Sequence, residues 1–406
     1  MKNVTQEVNK VYSEQNPSTY FRSESQLPSF LENNKKFLLQ LKIPPRAFLN
    51  STLLDFGCGT GQRGLVYDHL GADCTLVEYD KQSYKNASAL FEKHAKNNFK
   101  IINSDIFDFK FSKESYDFVL SMGVAHHTKH PVKNIELCCQ ALKPGGMLIL
   151  GVGNKAGFFQ RNLQRLIVYS ISENNEDIIK YSKILFKEHL QRCIEYGGRS
   201  IDEIVYDTYI NPKIYSFGTN EIIDIFAKNN LNLYSSYQDL KNAQDFLEPS
   251  INQFHLMDDS IINSNSSPRS DKIFLSDFED FSLSNNELNN ADLLKQLRSL
   301  MPHFNEITDQ VNDISFDHFD LNVNEFLKEI NLFKEKLLKI KKIDVINKKH
   351  NEVFIDEIAL VIKALNKNNK KIDKFYEVQK ILDNNNRLFK LVNGVGMNYY
   401  CGYKNE

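Results

Sequence analysis

Tryptophan is absent from the 406 residues, so the 12% aromatic share is carried by 29 Phe and 18 Tyr, and any core must be packed around those two rings. An excess of either charge is missing too: 50 basic against 52 acidic residues leave a net charge of −2. No overall field draws the chain to nucleic acid or to an anionic membrane, which leaves only local patches for such work. The six cysteines (Cys58, Cys74, Cys138, Cys139, Cys193 and Cys401) show no metal-ligand spacing, and the adjacent pair sits on a helical stretch where the two cannot easily bridge. They read as reduced thiols of a cytoplasmic protein, and no metal site is expected. MKNVTQEVNKVYSEQNPS lacks the apolar core of a signal peptide, and no apolar run approaches the length of a membrane span.

What is there suffices for a large core. Hydrophobic residues make up 41% of a chain too long for one ordinary domain, so a main domain with an added lobe is expected. Residues 1–50 read as an N-terminal helical cap of two pieces, the second (Phe30–Leu41) ended by Pro44–Pro45. From Thr52 the pattern changes to short apolar runs alternating with amphipathic helices. Strands are predicted at Thr52–Phe56, Cys74–Tyr79, Phe99–Asn103, Tyr116–Ser121 and Met147–Val152, with helices over Gly61–Leu70, Gln82–Asn97 and Val132–Leu142 between them. Strand and helix alternating at this interval imply an α/β fold, a doubly wound and mostly parallel sheet covered on both faces.

Residues 155–215 are mostly helical and are grouped with the core (51–244) as a cap over substrate. A further helix, Thr219–Asn229, precedes a strand at Leu231–Tyr237. From about Ala243 the composition turns to Asn, Ser and Asp, as in SIINSNSSPRSD, the signature of a linker or surface loop. Helices are expected at Glu287–Met301, Val323–Ile343, Val353–Asn366 and Ile372–Asp383. The end of the chain, LFKLVNGVGMNYYCGY, reads as a turn and a strand. If that strand (within 386–406) closes the core sheet, residues 245–385 are a helical insertion rather than an independent domain.

The chemistry starts at LLDFGCGTGQ, residues 53–62. A strand ending near Asp55 and followed by Gly57, Gly59 and Gly61 lets the backbone turn sharply and approach a ligand at the start of the next helix. Nicotinamide and flavin proteins use such a turn as well, but their fingerprint is G-x-G-x-x-G and serves a pyrophosphate. Here the order is D-x-G-x-G-x-G. A carboxylate two residues before the first glycine would repel a pyrophosphate, while it suits a cationic amino-acid group.

The segment resembles motif I of the class I S-adenosylmethionine-dependent methyltransferases, and later positions resemble that family in order and spacing. Glu78 in LVEYD matches the acid that holds both ribose hydroxyls, with Tyr79 beside it for the adenine. Asp105 in NSDIFDF matches the acid that accepts from the adenine amino group, with Ile106 alongside. YDFVLSMG, which contributes Ser121, matches the fourth strand, and LKPGG the turn before the fifth. The resemblance covers about residues 50–155. It implies a seven-stranded Rossmann-like methyltransferase fold with S-adenosyl-L-methionine as cofactor, held by Asp55, Gly57, Gly59, Gly61, Glu78, Tyr79, Asp105, Ile106 and Ser121.

Ligands of doubly wound sheets lie beyond the carboxyl ends of the strands. The end of strand four, GVAHHT, resembles the G-V-L-H-H segment of small-molecule methyltransferases, so His126 and His127 are the candidate bases; the bland alternative is that one shapes the pocket and the other caps a helix. Arg161 and Arg165, four apart on one helix face, could grip an anionic acceptor, although a solvated basic face explains them as well. Asp207 and Tyr209 are further candidates for the substrate pocket. The basic run KEKLLKIKKIDVINKK in the lobe reads first as a solvated helix face and second as a surface for RNA or protein. The first expectation is methylation of a small-molecule or glycan- or lipid-linked acceptor, on oxygen. An RNA or protein methyltransferase is the second, disfavoured for RNA by the balanced charge and by the lack of an Asn/Asp-Pro-Pro-Tyr/Phe motif. A non-catalytic cofactor-binding protein is the third.

Overall fold

The computed structural model describes residues 4–15, 19–155, 157–197, 200–237, 300–340, 345–385, 388–389 and 396–406. These fall into two compact units, one drawn from Met1–Val152, Glu221–Leu240 and Met397–Glu406, the other from Gly153–Asn220 and Lys241–Gly396.

The first unit is built on a seven-stranded sheet of order β3-β2-β1-β4-β5-β7-β6. Its strands are β1 (Thr52–Phe56), β2 (Asp73–Glu78), β3 (Phe99–Asn103), β4 (Tyr116–Met122), β5 (Leu142–Gly153), β6 (Leu231–Tyr237) and β7 (Met397–Lys404). The pairs β1–β2, β2–β3, β1–β4 and β4–β5 are parallel, whereas β6 and β7 pair antiparallel. Leu53, Leu54 and Phe56 of β1 are wholly inaccessible, as befits a central strand covered on both faces, and the apolar run in the sequence records that burial. Helices α1 (Val4–Gln15), α2 (Leu27–Gln40), α3 (Gln62–His69), α4 (Lys81–His94) and α5 (Pro131–Ala141) accompany the sheet. Phe48 packs on Phe118 and Tyr67, with ring centroids 4.2 and 4.9 Å away, so phenylalanine and tyrosine do fill the core.

β7 comes at the very end of the chain yet lies between β5 and β6. Its Lys404 ammonium donates to the Leu142 and Cys139 carbonyls at 2.8 and 3.3 Å and meets Glu114 at 3.1 Å, fastening the strand to the base of β5. The turn expected before it falls largely on residues 390–395, outside the described residues.

The second unit is helical. Phe159–Ile171, Asn175–Leu185, Met301–Gln310, Val323–Lys339, Val345–Leu365 and Lys371–Asn384 share one core that includes Leu166, Tyr169, Ile178, Phe326, Phe354 and Phe375. The grouping of 155–215 with the methyltransferase-like core is thereby corrected: the apolar faces of these helices are buried with the helices after residue 300. The helix expected at Val323–Ile343 stops at Lys339. Leu337 and Ile340 are buried, while Lys334 pairs with Asp356 and Glu352 at 2.8 and 3.1 Å, as in a solvated helix face. The Ser/Asn-rich linker and all of the helix expected at 287–301 except Leu300 and Met301 lie outside the described residues.

Candidate active site

The turn after β1 needs glycine for two separate reasons. Gly57, Gly59 and Gly61 have φ of +69°, +57° and +76°, the left-handed region that disfavours other residues. A side chain on Gly57 would also begin 2.7 Å from a methyl of Val124, two residues past the end of β4. The Gly57 and Cys58 amides donate to the Val77 carbonyl at 2.8 and 3.1 Å, holding the turn against β2. The helix that follows, α3, starts at Gln62 with Gly61 as its N-cap.

Glu78 ends β2 and is tied to that turn. Its Oε2 accepts from the Gly59 amide at 2.7 Å and its Oε1 from the Asp80 amide at 2.8 Å. Burial raises its pKa, and those two backbone donors oppose the shift by stabilising the anion. Glu78 lines a pocket of about 140 Å³ together with Gly57, Gly59, Tyr79, Asp105 and Ile106. Met122, Gly123, Val124, His127 and Thr128, from the end of β4 onward, form another part of its wall. Asp105 is held by its own loop, since its Oδ1 accepts from the Phe107 amide at 2.9 Å. Three carboxyl-bearing residues, Glu78, Asp80 and Asp105, with an open glycine backbone and the apolar Ile106, Met122 and Val124, give the pocket acceptors for hydrogen-bond donors beside an apolar wall.

Four of the expected residues stand behind this wall rather than in it. Asp55 is buried beneath the turn, and its carboxyl is pushed up to about 7: burial raises it, the Arg63 guanidinium opposes the rise, and Glu78 adds to it. Gly61 caps α3 instead of bordering the pocket. Ser121 is inaccessible and donates to Asn134 Oδ1 at 3.1 Å. Of the two histidines, His127 borders the pocket; His126 is buried, its ring centroid 4.1 Å from that of His127.

The expected acceptor residues lie in the second unit, and two of them are corrected. Arg165 is completely buried and donates to the carbonyls of Thr208, Asn211 and Ile314 at 2.7, 3.0 and 2.7 Å, so its guanidinium holds the unit together and grips no acceptor. Tyr209 is equally inaccessible, its hydroxyl donating to Gln164 Oε1 at 2.9 Å. Spacing placed Arg161 and Arg165 on one face but could not tell whether that face looks inward. Arg161 lies over the Phe158 ring at 5.1 Å, and Asp207 contributes negative potential at Arg165. Among the described residues no group of three His, Cys, Asp or Glu could hold a metal ion.

No motif or periodicity signals that the N-terminal segment shares this site. Val8 of α1 lines the pocket, as does Asp80, whose carboxylate caps α4 by accepting from the Ser83 amide at 2.7 Å. Only the Asp-x-x-Ser spacing after β2 signalled that cap.

A family model described as "Methyltransferase domain" matches residues 54–150, the stretch from β1 to β5. The ubiquinone biosynthesis O-methyltransferase of Nitrosospira multiformis is 26% identical over 172 residues, covering 41% of this chain and 70% of that protein. The human mitochondrial enzyme of the same name is 24% identical over 194 residues, covering 45% of this chain and 50% of the relative. Among solved structures, the YcgJ protein from Bacillus subtilis is 18% identical, covers 51% of this chain and 71% of that one, and has a TM-score of 0.32. Topology and family match agree: the chain is a class I S-adenosylmethionine-dependent methyltransferase. S-adenosyl-L-methionine is its cofactor. No helix among the described residues is long and apolar enough to cross a membrane.

Proposed function

We propose that this enzyme methylates an oxygen of a small-molecule acceptor, with the cofactor held in the pocket beside Gly57, Gly59, Glu78 and Asp105. In this reading Glu78 takes the ribose hydroxyls, Asp105 accepts from the adenine amine, and Tyr79 and Ile106 flank the ring. Asp55 acts from beneath the turn, where its charge attracts the cationic amino-acid end without touching it. The donor supplies an already activated methyl group, so the chain has to align the acceptor oxygen and take its proton.

One observation carries the choice of base. His127 borders the same pocket as Glu78 and Asp105, whereas His126 is buried. An imidazole at that place can receive a hydroxyl proton near neutral pH. The oxygen acceptor is further supported by the names of the relatives, ubiquinone biosynthesis O-methyltransferases, and by the balanced charge, which offers an RNA substrate no general field.

The test is an acceptor screen with methyl-labelled cofactor over phenols, hydroxy acids, sugars and total RNA. Label in an ether or ester of a small molecule supports the proposal. Label confined to RNA, or transfer to nitrogen, overturns it.

A further inference from the structure

We propose that Gln62 is a positioning residue that staples the N-terminal segment onto the glycine turn, so that α1 forms a wall of the cofactor pocket and slows the cofactor's release; the inference rests on the pocket being the cofactor site.

Gln62 is the first residue of α3, immediately after Gly61, yet its side chain serves a segment some forty residues earlier in the chain. Its Oε1 accepts from the amides of Tyr20 and Phe21 at 2.6 and 3.1 Å, and its Nε2 donates to the Phe21 carbonyl at 2.8 Å. The side chain is buried, and one amide group thus meets two donors and one acceptor of a stretch that belongs to no helix or strand. Backbone polar groups outside helices and strands need side-chain or solvent partners, and at Tyr20 and Phe21 the buried Gln62 amide supplies three such bonds.

The rest of the segment follows from that anchor. Tyr20 is laid over the Arg63 guanidinium at 4.7 Å, and Phe21 meets Phe30 of α2 at 5.3 Å. Upstream, α1 packs on α4 and buries Val11. The Ser13 hydroxyl donates to Asp80 Oδ1, the carboxylate whose other oxygen caps α4 and which itself lines the pocket. One turn ahead of these fastenings, Val8 of α1 joins the pocket wall with Gly57, Glu78 and Asp80. The segment is therefore attached at Tyr20 and Phe21 to Gln62, the residue that follows the glycine turn, and at Ser13 to Asp80, which lines the pocket. Elements sharing contacts in this way are coupled, and a ligand favoured by the seated segment must in turn favour its seating.

Stopped-flow release of S-adenosylmethionine from the 406-residue protein tests this, with circular dichroism and melting temperature as controls. Gln62→Met keeps the volume and helix propensity of the residue but removes its hydrogen bonds. It is expected to speed cofactor release about ten-fold, within the usual range of coupling between two sites. Ser13→Ala, at the exposed end, is expected to speed release less while leaving the melting temperature within a degree or two of wild type. A role confined to stability would lower the melting temperature of Gln62→Met and leave release unchanged, and that result overturns the proposal. Should Gln62→Met not fold, release at the wild-type rate from Ser13→Ala overturns it instead. A wild-type protein that binds no cofactor would sink the cofactor-site reading itself, a different outcome from unchanged release in the variants.

Discussion

The Gly59 amide donates to Glu78 Oε2 at 2.7 Å, so the carboxylate at the end of β2 also fixes the tip of the turn after β1. Replacing Glu78 with alanine removes a candidate ribose contact and frees that amide at once. A hydrogen bond to a charged group contributes about 1.5–3 kcal/mol, so S-adenosylmethionine affinity should fall roughly ten- to hundred-fold. Calorimetry on Glu78→Ala and Glu78→Gln measures it. Unchanged affinity in both would remove Glu78 from the site.

Asp55 makes stability depend on pH in an unusual direction. Its ordinary pKa of 3.8 is pushed up to about 7 by burial, so the folded chain holds this proton more tightly than the unfolded one. The folded state therefore loses stability as pH rises from about 4 to about 7, by up to ~4 kcal/mol at ~1.4 kcal/mol per unit, and the loss levels off above 7. Melting temperatures of the cofactor-free protein across pH 4–9 should show that slope, and Asp55→Asn should flatten it. A cationic ligand favours the ionised carboxyl, so cofactor affinity should rise with pH across the same window in wild type and much less in Asp55→Asn.

Arg165→Met separates a structural arginine from an acceptor contact. Three carbonyls lose their donor in a buried place, at about 1 kcal/mol or more each, so unfolding by urea should show a loss of roughly 3 kcal/mol. Cofactor affinity of the folded fraction should stay at the wild-type value. A stable variant with a raised acceptor KM would restore Arg165 to the substrate site.

The two histidines should differ in kinetics. With any acceptor found by the screen, His127→Asn is expected to lower kcat about a hundred-fold or more, the usual contribution of a general base, with little change in cofactor affinity. His126→Asn should act mainly on the melting temperature, because that ring is buried. Equal kcat for His127→Asn and wild type would leave alignment alone as the source of catalysis.

Most of the first unit was legible in the sequence because its signals are local. The strands β1 and β3 and the strand Leu231–Tyr237 coincide with their apolar runs, and the left-handed φ of Gly57, Gly59 and Gly61 is what a G-x-G-x-G turn between strand and helix demands. Glu78 and Asp105 could be placed at the pocket because a parallel sheet brings the ends of successive strands together. The acceptor site could not be read in the same way. Helical spacing gave Arg161 and Arg165 a common face without a direction, and the direction is set by helices that follow more than a hundred residues later.

The donor chemistry of this enzyme is legible in the residues alone, since an acid, three glycines and two later acids at strand ends need only the order of β1, β2 and β3 to come near one another. Tertiary structure alone decided the rest: that Asp55 lies beneath the turn while Glu78 faces the pocket, that Arg165 holds carbonyls, and that Gln62 fastens the chain at Tyr20 and Phe21. Those outcomes depend on which buried polar group finds which distant partner, and neither periodicity nor motif spacing carries that information.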